Sequence, residues 1–199
     1  KDASKDSVIF WTMAKDYVDH RLPEIRKVSP NTIKAYRDSL NKYIDYLESE
    51  KNIRRSDVTF SCFSKGNILN YLDWMLNIKK YAPKTCNLRI TAIHALLEYA
   101  ANENSTDLMA IYLESCNVKG LKITSNPIKY FESYQMKALL AAPNEKTRTG
   151  RRNQMMLILY YDTAARISEL LEMERSQLHL DADIAYLTIY GKGRKYRNI

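Results

Sequence analysis

Residues 159–171 read LYYDTAARISELL, and this stretch decides how the C-terminal third of the chain is interpreted. Apolar residues recur at helical spacing on both sides of a short break, which predicts helices over Asn153–Tyr161 and Ile167–Met173. The break ends in Arg166, and Glu169 follows about one helical turn later. The sequence therefore predicts two helices that meet at a turn, where a carboxylate lies close enough to orient the arginine.

A β-hairpin is predicted downstream of this turn. The run Ile184–Tyr190 is β-branched and aromatic, which is typical of a strand. Residues 191–194 contain two glycines and predict a turn, and Lys195–Ile199 would begin the returning strand. Because a lone hairpin is marginally stable in water, we expect this sheet to be incomplete.

Upstream of the turn, Ser133–Ala142 predicts a helix that stops at Pro143, and 144–150 reads as a polar loop. The stretch 117–129 has turn residues and little periodicity, so we interpret it as an interdomain linker. The predicted organisation is an N-terminal domain over 1–116, this linker, and a second domain over 130–199.

The N-terminal domain reads as a helical bundle. Four runs carry apolar residues at intervals of three and four, and Thr106–Glu114 is compatible with a short fifth helix. The runs are Trp11, Ala14 and Val18; Ile33, Tyr36, Leu40, Tyr43, Ile44 and Leu47; Ile68, Leu72, Met75 and Leu76; and Ile90, Ile93, Leu97 and Ala100. The fold class expected for the whole chain is mainly α: a helical bundle followed by an α+β domain with a small antiparallel sheet.

The net charge of +8 and the pI near 9.3 favour an acidic partner, of which nucleic acid is the commonest. The positive charge of the second domain is concentrated in its last nine residues. No apolar run approaches the roughly 20 residues that a membrane span needs, and the polar N-terminus does not resemble a signal peptide. Three widely spaced cysteines favour reduced thiols over a disulfide framework or a zinc site. We therefore expect an intracellular protein.

Two motifs resemble those of the tyrosine recombinases, the phage-integrase family. Residues 159–171 resemble the first catalytic-arginine motif, Thr-Gly-x-Arg followed by a helix that opens Ile/Val-Ser-Glu-Leu. Residues 188–197, TIYGKGRKYR, resemble the family's β-hairpin lysine motif, Gly-Lys-Gly-x-Lys-x-Arg. In the N-terminal domain, 29–36 and 82–89 resemble the starts of two helices of the SAM-like core-binding domain. The resemblance covers nearly the whole chain and implies a core-binding domain followed by a truncated catalytic domain.

The resemblance implies a role for each residue of the candidate site. Arg166 would grip the nonbridging phosphate oxygens through its planar guanidinium, and Lys192 would protonate the leaving 5′ oxygen. Glu169 would support Arg166. A tyrosine hydroxyl would form a covalent protein–DNA intermediate, and no metal or nucleotide cofactor is implied.

The chain departs from the family pattern in two places. Ala164 stands where the family usually has Gly, and a left-handed backbone there would cost a non-Gly residue roughly 1 kcal/mol. No His-x-x-Arg motif follows Lys192. We therefore expect the chain as given not to cleave DNA, and we assign no tyrosine as the nucleophile.

The DNA contacts are predicted at the N-terminal ends of two bundle helices and on the hairpin. Helix N-termini favour phosphate through their free N–H groups and dipole. The candidates are Thr32, Lys34, Lys84, Thr85, Asn87, Arg89, Arg194, Lys195 and Arg197. The resemblance also implies a tetramer on DNA for the full-length parent and a bacterial, cytoplasmic, DNA-associated location.

Two other functions are compatible with parts of the sequence. A non-catalytic DNA-binding regulator derived from a truncated recombinase would share every feature up to Ile199. A helical protein-interaction module would explain the bundle, but not Arg166 followed by the glycine-flanked Lys192.

Overall fold

The computed structural model of the chain describes residues 3–103, 106–124, 127, 129–181, 183–191 and 195–199, without the side chains of residues 3, 4, 106 and 107. The chain divides into two compact units, Lys1–Ser125 and Asn126–Ile199. None of the helices in the described ranges is long and apolar enough to cross a membrane. The fold class predicted from the sequence is confirmed, because a helical bundle precedes a unit with a small antiparallel sheet.

The first unit is built from five α-helices. They are α1 (Ala3–Asp16), which continues as a π-helical stretch over Tyr17–Ile25; α2 (Pro30–Lys51); α3 (Lys65–Asp73), which continues as a π-helical stretch over Trp74–Ile78; α4 (Pro83–Glu103); and α5 (Thr106–Ser115). Two short 3₁₀ turns, Arg55–Asp57 and Phe60–Phe63, connect α2 to α3. Ser29 and Ser64 cap α2 and α3 by accepting the N–H groups of Thr32 and Asn67.

The apolar stripes of these helices meet in one core. Leu40, Leu47, Ile68, Met75 and Ile93 are among its buried members, as the helical spacing predicted. Side chains of this size contribute about 1.5–3 kcal/mol each when fully buried. The first unit therefore has enough packing to fold around its own core.

The described residues of the second unit form three α-helices and three strands. They are α6 (Ser133–Ala141), α7 (Arg148–Thr163), α8 (Ile167–Leu171), a 3₁₀ turn (Arg175–Gln177), β1 (Leu178–His179), β2 (Tyr186–Tyr190) and β3 (Tyr196–Asn198). The antiparallel sheet has the order β1-β2-β3. The register pairs Ile189 with Arg197 and Leu187 with Leu178, so β2 is the central strand.

Several element boundaries predicted in this unit were wrong, and β1 was not predicted. The helix predicted from Asn153 begins at Arg148, because Thr147 caps it by accepting the N–H of Gly150 at 2.9 Å. The first turn of α7 is polar and lacks the apolar periodicity that predicts a helix, so the sequence predicted a loop there. The strand predicted over Ile184–Tyr190 begins at Tyr186, and the two-residue β1 is too short to show an alternating pattern.

The start of the predicted linker packs against the bundle. Val118 is buried in the core of the first unit. Leu121 exchanges two backbone hydrogen bonds with the side-chain amide of Asn87 on α4. The segment from α5 to Leu121 is therefore anchored to α4.

Candidate functional site

The turn between α7 and α8 positions Arg166. Ala164 has a left-handed backbone with φ of 47°, as expected where the family has glycine, and its N–H donates to the Tyr160 carbonyl at 3.1 Å. The Thr163 hydroxyl donates to the Leu159 carbonyl and accepts the N–H of Ala165. These bonds stabilise the turn at the end of α7. Arg166 follows this turn in an extended conformation, immediately before α8.

The carboxylate of Glu169 is the centre of the site. It accepts the backbone N–H of Arg166 at 2.9 Å and the Arg166 Nη1 at 2.6 Å. It also accepts Nη2 of Arg197, from β3, at 3.2 Å. The side chain of Glu169 is only 6% exposed. The Arg166 backbone N–H, and after it the Arg166 guanidinium, lower the pKa of Glu169 below its usual value, so the carboxylate stays charged.

Most of the Arg166 side chain is exposed to solvent. Its side chain is 63% exposed, against 42% for that of Arg197. A guanidinium remains charged at any physiological pH and offers a planar fork of N–H donors. With one edge held by Glu169, Arg166 can present the rest of this fork to an oxyanion such as a phosphate.

The hairpin candidates are only partly covered by the described residues. Lys192 and Arg194 lie outside them, so their predicted roles stay predictions. Lys195 is exposed, and its carbonyl accepts the N–H of Gly191 at 2.6 Å. The structure thus brings Arg166, Glu169 and Arg197 together.

A polar cavity of about 500 Å³ lies beside Glu169. Among the described residues, its walls include Glu172, Glu174 and His179 but no lysine or arginine. Carboxylates repel a phosphodiester, so this cavity does not suit DNA. Among the described residues, no group of three or more His, Cys, Asp or Glu side chains could hold a metal ion.

The two α2 candidates lie in its first turns. The Thr32 hydroxyl is 2.9 Å from the Ser29 hydroxyl and is half-buried, while Lys34 is exposed. Of the two candidates at the start of α2, Lys34 is therefore the exposed cation.

The α4 candidates divide into exposed and engaged side chains. Lys84 is exposed and Thr85 is half-buried. The Arg89 guanidinium is half-buried over the Tyr81 ring, with its carbon 4.2 Å from the ring centroid. Both ends of the Asn87 amide bond Leu121, so Asn87 would have to release that segment to contact DNA. The hydrogen bonds between Asn87 and Leu121 could not be predicted from the sequence, because the partners are 34 residues apart and neither lies in a distinctive motif.

Two models of one family match this chain. The phage integrase, N-terminal SAM-like domain matches residues 15–104, and the phage integrase family domain matches residues 129–199. The chain belongs to the phage integrase family of tyrosine recombinases. Each match lies within one of the two structural units and includes the candidate residues assigned to that unit.

Relatives agree with this membership. The chain is 31% identical to an integrase/recombinase, y4rC, of Sinorhizobium fredii over 89% of its own length and 53% of that protein. It is 26% identical to the tyrosine recombinase XerC of Chlamydia caviae, over 88% of this chain and 58% of that protein. The chain thus spans slightly more than half the length of these relatives.

A solved structure shares the fold. It is a crystal structure of the XerH site-specific recombinase bound to palindromic difH substrate, in a post-cleavage complex. The TM-score is 0.60 with 16% identity, over 87% of this chain and 49% of that one.

Proposed function

We propose that this chain is the core-binding domain and the first part of the catalytic domain of a recombinase that acts on duplex DNA. The observation that carries the proposal is the Arg166–Glu169 pair: a buried carboxylate fixes one edge of an exposed arginine at a helix start. This geometry suits an arginine that must hold a phosphate, because it limits the number of orientations that the guanidinium samples.

In the full-length parent, a tyrosine hydroxyl would attack a backbone phosphorus atom and form a 3′-phosphotyrosyl bond. Arg166 would stabilise the charge that grows on the nonbridging oxygens, and Lys192 would protonate the leaving 5′ oxygen. Because the phosphotyrosyl bond conserves the energy of the broken bond, the reaction needs no cofactor. The 199-residue polypeptide by itself should bind DNA without cutting it.

The bundle would supply the sequence-independent part of binding. Lys34 and Lys84 are exposed at the starts of α2 and α4, where free backbone N–H groups also favour phosphate. Full-length copies would assemble as a tetramer on two DNA sites, in the bacterial cytoplasm. XerH, a recombinase with this fold, is described bound to its DNA substrate, which supports duplex DNA as the partner.

The test is duplex binding by the polypeptide across a salt series. Each phosphate that a protein neutralises contributes about −0.9 to the slope of log affinity against log salt. We expect affinity for random-sequence duplex to fall at least tenfold between about 50 and 200 mM salt, as it does for proteins with several phosphate contacts. Affinity that does not change with salt, or no binding at 50 mM, would contradict the proposal and favour a protein-interaction module.

A matched pair of variants locates the interface on the bundle. Lys34→Gln, at the start of α2, should reduce the salt slope by about one contact. Lys51→Gln removes an exposed cation from the opposite, C-terminal end of α2 and should leave the slope unchanged.

A further inference from the structure

Glu169 is shared by two arginines that come from different elements. Arg166 precedes α8, whereas Arg197 lies on β3, 28 positions after Glu169. Oε1 accepts Nη1 of Arg166, and Oε2 accepts Nη2 of Arg197. The side chain of Glu169 is 6% exposed, whereas that of Arg197 is 42% exposed.

The start of the hairpin turn also packs on this carboxylate. A Cβ atom added to Gly191 would lie 3.4 Å from Glu169 Oε1 and 3.7 Å from Arg197 Nη1. The N–H of Gly191 donates to the carbonyl of Lys195, which closes the hairpin next to the ion pair. Gly191, which follows β2 and bonds Lys195 just before β3, therefore lies beside the Glu169–Arg197 pair.

We infer that Arg197 is a positioning residue: its ion pair with Glu169 fixes the β2–β3 hairpin to the turn that carries Arg166. The inference rests on the proposed function for the role of Arg166. It replaces the prediction that Arg197 contacts DNA.

The charge of the cluster agrees with this division of roles. One carboxylate offsets one of the two guanidiniums, which leaves a net charge of +1. Arg166 is the more exposed of the two arginines, so an incoming phosphate meets Arg166. A DNA contact by Arg197 would compete with its bond to a buried carboxylate, and leaving that carboxylate with fewer partners is costly.

The test is amide hydrogen exchange on the 199-residue polypeptide without DNA. Arg197→Gln removes the charge, and Arg197→Lys keeps the charge but loses the planar fork. Lys195→Gln is the matched control, since it removes an exposed cation from the same hairpin. We expect the Gly191 amide to exchange about tenfold faster in Arg197→Gln and by a smaller factor in Arg197→Lys, with no change in Lys195→Gln.

Two further readouts keep the result interpretable. Unchanged exchange in α7 would show that each variant is folded. The pKa of Glu169, followed by carboxyl NMR, should rise in Arg197→Gln and not in Lys195→Gln, which general loosening of the hairpin would not produce.

Gly191 exchange at the wild-type rate in Arg197→Gln would overturn the inference. A salt slope for duplex binding that is lower by about one contact in Arg197→Gln, with hairpin exchange unchanged, would overturn it too and make Arg197 a phosphate contact. The exchange experiment needs no DNA. Failure of the wild-type polypeptide to bind duplex would therefore count against the proposed function alone.

Discussion

The two units differ in how they are held together. The first buries an apolar core that includes Tyr43, Leu47 and Ile93. Among the described residues of the second unit, the buried apolar side chains are Leu187 and Ile189. Many of its other large apolar side chains are exposed, including Tyr130, Phe131, Tyr134, Met155, Ile167, Leu171, Leu180 and Ile184. A packed core supports the bundle, whereas hydrogen bonds and an ion pair to Glu169 hold Arg166.

The two units also differ in what they expose. The first unit has Lys34 and Lys84 exposed at the starts of α2 and α4. The second unit carries Arg166 and exposes many of its large apolar side chains. Exposed apolar side chains that cluster on a surface are typical of a region that another protein segment covers.

The largest expected effect is the loss of stability when a buried leucine of the first unit is truncated, compared with an exposed leucine of the second unit. Leu47 is fully buried, so Leu47→Ala should lower the free energy of unfolding of the first unit by about 3 kcal/mol. Tryptophan fluorescence during denaturant unfolding reports this loss, because Trp11 and Trp74 both lie in the first unit. Leu171 is 62% exposed, so Leu171→Ala should change the stability of the second unit by less than about 0.5 kcal/mol, measured by exchange in α7. Equal losses of stability in the two variants would contradict the difference in apolar packing between the two units.

A smaller effect is expected at the α7–α8 turn. Ala164 has φ of 47°, a conformation that glycine adopts without strain, so Ala164→Gly should stabilise this turn by up to about 1 kcal/mol. Slower exchange of the residue 164 amide, which bonds the Tyr160 carbonyl, measures the gain. The neighbour Ala165 is not among the residues with positive φ, so Ala165→Gly should instead cost about 0.4–1 kcal/mol. Destabilisation by both glycines would show that Ala164 is not strained.

The smallest effect is a pH dependence confined to the second unit. The pKa of Glu169 is lowered in the folded state, so the unfolded state binds more protons as the pH falls below the usual value of 4.5. The stabilisation by Glu169 is complete above that value and is lost as the pH falls through the lowered pKa. NMR titration of the carboxyl, together with exchange of the Arg166 amide that donates to it, measures this change. A Glu169 pKa at or above 4.5 would contradict the ion-pair geometry.

The sequence predicted the first unit more completely than the second. Apolar spacing identified α2 and α4, because burial of one helix face leaves a local periodic signal. In the second unit, the motif predicted that Glu169 lies beside Arg166. The bond from Arg197 to Glu169 could not be predicted, since it depends on the register of β3 against β2.

Two further features of the structure could not be predicted from the sequence. The amide of Asn87, which is predicted to contact DNA from its place near a helix start, bonds Leu121 far along the chain. The start of α7 was missed because the cap at Thr147 lies in a stretch that is polar throughout. Patterns in a sequence report periodicity and caps, but they do not report which distant backbone a polar side chain meets.

The most direct test of the proposed function is covalent capture of DNA by the full-length protein. The protein would be incubated with fragmented DNA from its source and denatured, and the DNA that stays attached to protein would be quantified. We predict a covalent adduct that Arg166→Ala reduces by about 100-fold or more, as loss of a transition-state donor does. Arg175→Ala, at an exposed arginine of the same unit, should leave it unchanged. Adduct formation at the wild-type level by Arg166→Ala, or no adduct with the wild-type protein, would contradict the proposed recombinase function.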